Sequence, residues 1–173
     1  PENVISHHAL FGTLVRLAGR QSAYPIRLAA IGALRNVFLG ASRQELELDA
    51  SLGGFKAMCD AIGDHSMKLP SNSEWTLLKA IYQALTRVDI SQVEMYKEVL
   101  EISGAAGEIE HIQNDEDVKV AYWSNKIYEI LNSEADENAS PDTSGVAKTL
   151  FQSPSQLQSN QDVGTAFTSR KNY

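Results

Sequence analysis

The apolar residues of this chain recur at one set of steps on three separate stretches, and that recurrence restricts the fold more than any other feature. Ile26, Ala30, Ala33, Leu34 and Val37 step by 4, 3, 1 and 3. Leu77, Ile81, Ala84, Leu85 and Val88 repeat the steps 51 residues later, and Trp123, Ile127, Ile130 and Leu131 follow them again 46 residues further on. Steps of three and four stack side chains on one face of a helix, whereas a half-buried strand needs alternation. Almost no alternation exists upstream of residue 132, so an all-α fold is expected.

Glycines keep a similar register. Gly53 and Gly104 stand 51 residues apart, each between two short helical stretches, while Gly19 and Gly63 each close such a stretch. Sharp helix–helix turns favour a backbone conformation with positive φ, which glycine adopts without strain. The sequence unit is therefore a first helix, a glycine turn, a short second helix and a long third one. Unit one, lacking its first helix, covers about residues 5–40; unit two covers 42–89 and unit three 90–132. Seven extra residues in unit two fall in HSMKLPSNSE, an inserted loop by its proline and serines.

Helices of this kind cannot bury their apolar faces alone, so the units are expected to stack. Three helices around a central glycine point to an armadillo-like helical-repeat solenoid of about three repeats over residues 1–131. A compact irregular bundle is the alternative. Residues 132–173 are rich in Ser, Asn, Gln and Asp with no apolar period, and read as a disordered polar tail. Within it, Ser140-Pro141 and Ser153-Pro154 fit proline-directed phosphorylation, Asn138 opens a sequon, and Leu150, Phe151 and Phe167 are candidate anchors of a linear motif.

A hydrophobic content of 43% in 173 residues supports one core. The lone cysteine, Cys59, has no disulfide partner and lies in the apolar stretch FKAMCDAI, as expected of a buried thiol in a reducing compartment, cytoplasmic and nuclear. No apolar run approaches the ~20 residues of a membrane span, so no membrane partner is expected. The chain opens at Pro1 rather than methionine, which reads as a portion of a longer protein.

Charge is unevenly spread. Arg16, Arg20, Arg27, Arg35 and Arg43 face only Glu2 in residues 1–43, whereas nine acids face only Lys97 in residues 89–117. The acidic band disfavours nucleic acid and favours a basic partner. Catalytic features are missing: no nucleophile elbow, phosphate loop or dinucleotide turn occurs. Glu108 and Glu110 are two apart on a helix and diverge. His7, His8, His65 and His111 have no ligand at zinc spacing, so neither an enzyme nor a cofactor or metal is expected. Trp123 lies on the apolar template and reads as core, Trp75 as the residue preceding a helix, and Tyr82 and Tyr122 as off-stripe residues that can line a groove.

The stretch GAAGEIEHIQNDEDVKVAYWSNKIYEIL, residues 104–131, resembles the last armadillo repeat of the importin-α (karyopherin-α) family. Gly104, Ile109, Glu110, Ile112, Gln113, Asn114, Asp115, Glu116, Asp117, Ala121 and Tyr122 carry the likeness, and LGGFKAMCDAIGD and IRLAAIGALRNVFLG resemble elements of the two preceding repeats. The resemblance implies an adaptor for nuclear import that binds basic localisation signals, with importin-β or a recycling exportin as further partners. The family's groove sets a Trp and an Asn one turn apart. Asn36 holds the Asn place with Gly32 where Trp would be, and one unit later Gln83 and Arg87 hold the two places. The resemblance thus implies a groove of Asn36, Tyr82, Gln83 and Arg87, and an acidic partner surface of Glu108, Glu110, Asp115, Glu116 and Asp117. The alternatives are an armadillo scaffold or chaperone cofactor that grips a folded protein, and, from another class, a small helical enzyme or ligand-binding bundle.

Overall fold

The structure is a computed structural model that describes residues 2–133. The polar segment 134–173, with Asn138, Ser140, Leu150, Phe151, Ser153 and Phe167, lies outside the described residues, as do the side chains of His7 and His8. The described residues form eight α-helices and contain no strand: α1 (Glu2–Leu17), α2 (Tyr24–Gly40), α3 (Arg43–Ser51), α4 (Gly54–Ile62), α5 (Ser71–Arg87), α6 (Ile90–Ile102), α7 (Ala105–His111) and α8 (Val118–Leu131). A 3₁₀ turn, Ile112–Asn114, leads from α7 towards α8.

Local chemistry sets the helix ends. Pro25 sits in the first turn of α2, where its missing N–H costs no helical bond. Ser42 and Glu45 form a reciprocal capping box at the start of α3. Asp89 accepts from the Ser91 N–H to cap α6, and Asp117 accepts from the Lys119 N–H to cap α8. Between α3 and α4 the chain turns at Gly53 with φ of 90°, and between α6 and α7 at Gly104 with φ of 78°.

Gly63 works differently. Its φ is −74°, so positive φ is not why glycine stands there. A Cβ at Gly63 would lie 2.2 Å from the Ser103 carbonyl oxygen and 2.9 Å from the Ala105 nitrogen. The end of α4 abuts the backbone of the α6–α7 turn, and only a hydrogen fits between them.

The long helices pack in chain order: α2 on α5 and α5 on α8. The shorter α4 and α7 pack on each other and on α5 and α8 respectively, with α3 and α6 against α4 and α7. Leu34, Phe38, Met58, Leu77, Leu78, Ile81, Leu100, Ile109 and Ile127 are wholly or almost wholly buried in the resulting core. Tyr96 lies tilted on Phe55 with ring centroids 4.5 Å apart.

Three details of the sequence pattern are corrected. On α8 the buried residues are Val120, Ser124 and Ile127, while Trp123, Ile130 and Leu131 of the expected stripe are half-buried. On α2 the buried residues are Arg27, Ala30, Ile31, Leu34 and Phe38, while Ile26 is 50% exposed. The inward stripe is turned by about one residue from the expected one, because Arg27 points inward to a buried acceptor. The buried pairs Ala30/Leu77, Ile31/Leu78, Leu34/Ile81 and Phe38/Leu85 then give an α2-to-α5 spacing of 47 rather than 51 residues. Trp75 does not precede α5 but is its fifth residue, because the helix starts at Ser71 directly after Pro70.

Candidate functional site

A buried ion pair ties the first helices to the α4–α5 loop. Arg27 donates from Nη1 to Asp64 at 2.7 Å and from Nε to the Ala18 carbonyl at 3.0 Å. Arg20 approaches the same carboxylate at 3.3 Å, and Ser66 donates to it from both its hydroxyl and its backbone N–H. The Ser66 hydroxyl first, then Arg27, hold the Asp64 carboxyl down at about 2. Arg43 pairs with Glu47 and Asp89. Much of the basic character of residues 1–43 is therefore neutralised within the fold.

The open side of the α5–α8 seam carries a different arrangement. Lys119 of α8 lies over the Trp75 ring of α5, 4.7 Å from its centroid. Lys79 of α5 lies over the Trp123 ring of α8, 5.8 Å from its centroid. The two contacts are reciprocal and share a separation of 44 residues, so α5 and α8 run parallel. Each such contact is worth about 0.5–1 kcal/mol at an accessible site. Trp123 also meets Tyr82 at 5.4 Å and Tyr122 edge-on at 5.0 Å. Both tryptophans are half-buried and Tyr122 is half exposed, so Trp123 is a seam residue rather than a fully enclosed core residue. Lys126 pairs with Glu129 at 2.8 Å, which favours its charged form.

Of the four expected groove residues, the structure brings Tyr82 to this seam. Gln83, next to it in α5, is half-buried, and its Oε1 has no hydrogen-bond donor among the described residues. Asn36 and Arg87 stand instead at the α2–α5 seam. Asn36 is exposed and accepts two hydrogen bonds from Arg35, at 3.0 and 3.2 Å, while Arg35 also donates to Thr76 at 2.9 Å. Arg87 donates to the Ala41 carbonyl at 3.2 Å. These two contacts lie at opposite ends of α5 and do not form one cluster.

The acidic surface converges in part. Burial first, then Asp115, Glu108 and Asp117, raise the pKa of Glu74, so these four carboxylates share one neighbourhood. Glu74 was not among the expected residues, because it lies some 34 residues before Glu108 in another helix. Two of the group also serve the backbone: Asp115 accepts from the Asp117 N–H at 2.8 Å and Asp117 from the Lys119 N–H at 2.9 Å. Glu108 meets His65 at 3.1 Å, while Glu110 and Glu116 are exposed.

Cys59 is fully buried, and burial together with Asp60 pushes its thiol well up, which makes it a poor nucleophile. Among the described residues, no three His, Cys, Asp or Glu side chains stand together as a metal-binding group, and no helix is long and apolar enough to cross a membrane. This surface offers ammonium groups held over aromatic faces on one seam and a carboxylate cluster near the start of α5. Set against known proteins, no family model and no curated sequence matches the chain.

Proposed function

We propose that residues 2–133 form an armadillo-like helical-repeat module that binds an extended protein segment along the face made by α2, α5 and α8. The observation that carries this reading is the parallel packing of the three long helices in chain order, with buried positions recurring at 47 residues from α2 to α5 and at 43 from α5 to α8, as in Leu77/Val120, Ile81/Ser124 and Ala84/Ile127. The two glycine turns of positive φ, 51 residues apart, agree with it. Stacked parallel helices leave one open face lined by side chains at regular intervals, which suits an extended ligand.

In the setting implied by the likeness to importin-α, the chain is the terminal portion of a nuclear-import adaptor working in cytoplasm and nucleus. Its protein partners there are a localisation signal, importin-β or a recycling exportin. A scaffold that grips a folded protein is the second reading. It is favoured by Met95 and Ile102, two turns apart on α6 and 54% and 70% exposed, an apolar strip that an extended segment on the other face would not cover.

Fluorescence anisotropy with a panel of labelled twelve-residue peptides, basic, acidic and uncharged, tests the module. Selective binding of one probe that Tyr82→Ala weakens by about tenfold, with unchanged far-UV circular dichroism, is the expected outcome. Binding indifferent to Tyr82→Ala, or no binding by any probe, refutes the peptide-binding face. Partner binding that Met95→Lys abolishes and Tyr82→Ala leaves intact would favour the scaffold.

A further inference from the structure

The row of long helices has two outer flanks that match its inner seams residue by residue. On α5, Thr76, Ala80, Ala84 and Arg87 step by 4, 4 and 3 and form the flank that meets α2, where Thr76 accepts from Arg35 and Arg87 donates to the Ala41 carbonyl. Trp75, Leu78, Tyr82 and Leu85 form the opposite flank, which meets Lys119 and Trp123 of α8. Ala80, Ala84, Leu78 and Leu85 are wholly or almost wholly buried. The offset of 47 residues carries the first flank onto Ala29, Ala33, Val37 and Gly40 of α2, with Ile26 one turn before them. The offset of 43 carries the second onto Val118, Ala121, Asn125 and Tyr128 of α8. Both outer flanks are open where their inner counterparts are closed. Ala29, Gly40 and Asn125 are exposed, Ala33, Val37, Ala121 and Tyr128 are half-buried, and Ile26 and Val118 are 50% and 80% exposed. A Cβ added at Gly40 would meet nothing within 4 Å.

We infer that these flanks are the two halves of one further seam, and that the chain associates with a second copy of itself head to tail, α8 of one copy lying on α2 of the next. Continuity with the seams inside the chain selects this occupant: the placement that sets α5 on α2 and α8 on α5 sets the next copy's α2 on α8. The residue types agree with it. The α2 flank is apolar and mostly small, as its counterpart on α5 is at Ala80 and Ala84, while the α8 flank carries the larger Val118 and Tyr128, as its counterpart carries Trp75 and Leu85. A row of larger side chains set against a row of small ones lets parallel helices approach closely. None of the outer residues is charged, so no like charges oppose each other across the contact. Because its two halves differ, the contact is heterologous, and each added copy leaves one half free, so association grows past a dimer. It does not depend on what the open face of α2, α5 and α8 binds.

Sedimentation velocity of the full chain over a rising concentration series is the test. The average mass is expected to climb beyond twice that of the monomer. Ile26→Glu with Ala29→Glu blocks the α2 half, and Val118→Glu with Asn125→Glu blocks the α8 half; each variant alone is expected to lose about tenfold or more in association constant, because the new carboxylates would be buried unpaired. An equimolar mixture of the two variants is expected to form a one-to-one dimer that grows no further, since each retains the half that the other lacks. Met95→Lys, on the exposed strip of α6, is expected to leave association unchanged. Should either double substitution alter the far-UV circular dichroism, the single exposed changes Ala29→Glu and Val118→Glu give the same comparison with a smaller loss. A monomer at every concentration overturns the inference. So does association that Met95→Lys abolishes and the flank variants keep, and so does a dimer that the α8 variant forms as readily as the parent.

Discussion

Replacing Gly63 with alanine is expected to destabilise the fold more than replacing either of two glycines nearby. The new methyl would sit 2.2 Å from the Ser103 oxygen and 2.9 Å from the Ala105 nitrogen, so the end of α4 and the α6–α7 turn would have to part by about 1 Å. Neither side yields easily, because Leu100 and Ala105 are wholly buried on the turn and Met58 and Cys59 on α4. Overpacking of this kind costs about 1–3 kcal/mol, and a clash of backbone with backbone belongs at the upper end, about 3 kcal/mol. Gly104→Ala carries only the left-handed strain of φ 78°, about 1–2 kcal/mol, since the nearest atom is 3.9 Å away. Gly107→Ala is a control: a Cβ there meets nothing within 4 Å, and the gain in helix propensity raises stability by up to about 1 kcal/mol. Urea denaturation followed by far-UV circular dichroism ranks the three. Equal stability of Gly63→Ala and the parent, or a smaller loss than for Gly104→Ala, would show that α4 does not abut the α6–α7 turn and would refute the packing argument.

Three further outcomes follow from single contacts. Asp64 is held at about 2, below its usual 3.8; a depressed folded value means the stability it adds is full above about pH 4 and disappears as pH falls towards 2. Urea midpoints of Asp64→Asn should accordingly depend less on pH across that window, and Asp64→Ala should cost about 3 kcal/mol at neutral pH by leaving Arg27 buried without its carboxylate. Cys59 should react with an aromatic disulfide reagent only at the rate of unfolding, and rapid labelling of native protein would contradict its burial. Ser42→Ala removes one half of the capping box and should lower stability by about 1 kcal/mol in the same urea assay; no change would mean that α3 draws nothing from its cap.

Where the fold could be read in advance, the reason was local. Gly53 and Gly104 mark turns whose positive φ any chain reversal of that sharpness favours, and the stripe of α5 is set by apolar residues at helical steps, whereas on α8 the expected stripe shares only Ile127 with the buried one. The stripe of α2 misleads because Ile26 and Ile31 fit a helical period equally well. What decides between them is Arg27, drawn inward by Asp64 37 residues away, and no periodicity encodes that pairing. Gly63 was marked as a helix terminator, yet its constraint comes from a turn 40 residues further on.

The candidate site follows the same division, and its electrostatics turn on it. Summing charge by segment assigns a basic start and an acidic band, and from that sum a basic ligand follows. Folding changes the sum. Arg20 and Arg27 are neutralised on Asp64 and Arg43 on Glu47 and Asp89, so the basic start loses much of its free charge. Lys79 and Lys119, 40 residues apart and each unremarkable in its own stretch, come to one seam because α5 and α8 lie parallel. Each lies over the tryptophan of the opposite helix. Which charges share a face is decided by packing: Lys119 lies over Trp75, and Trp75 adjoins Glu74, whose carboxyl shares its surroundings with Asp115 and Asp117.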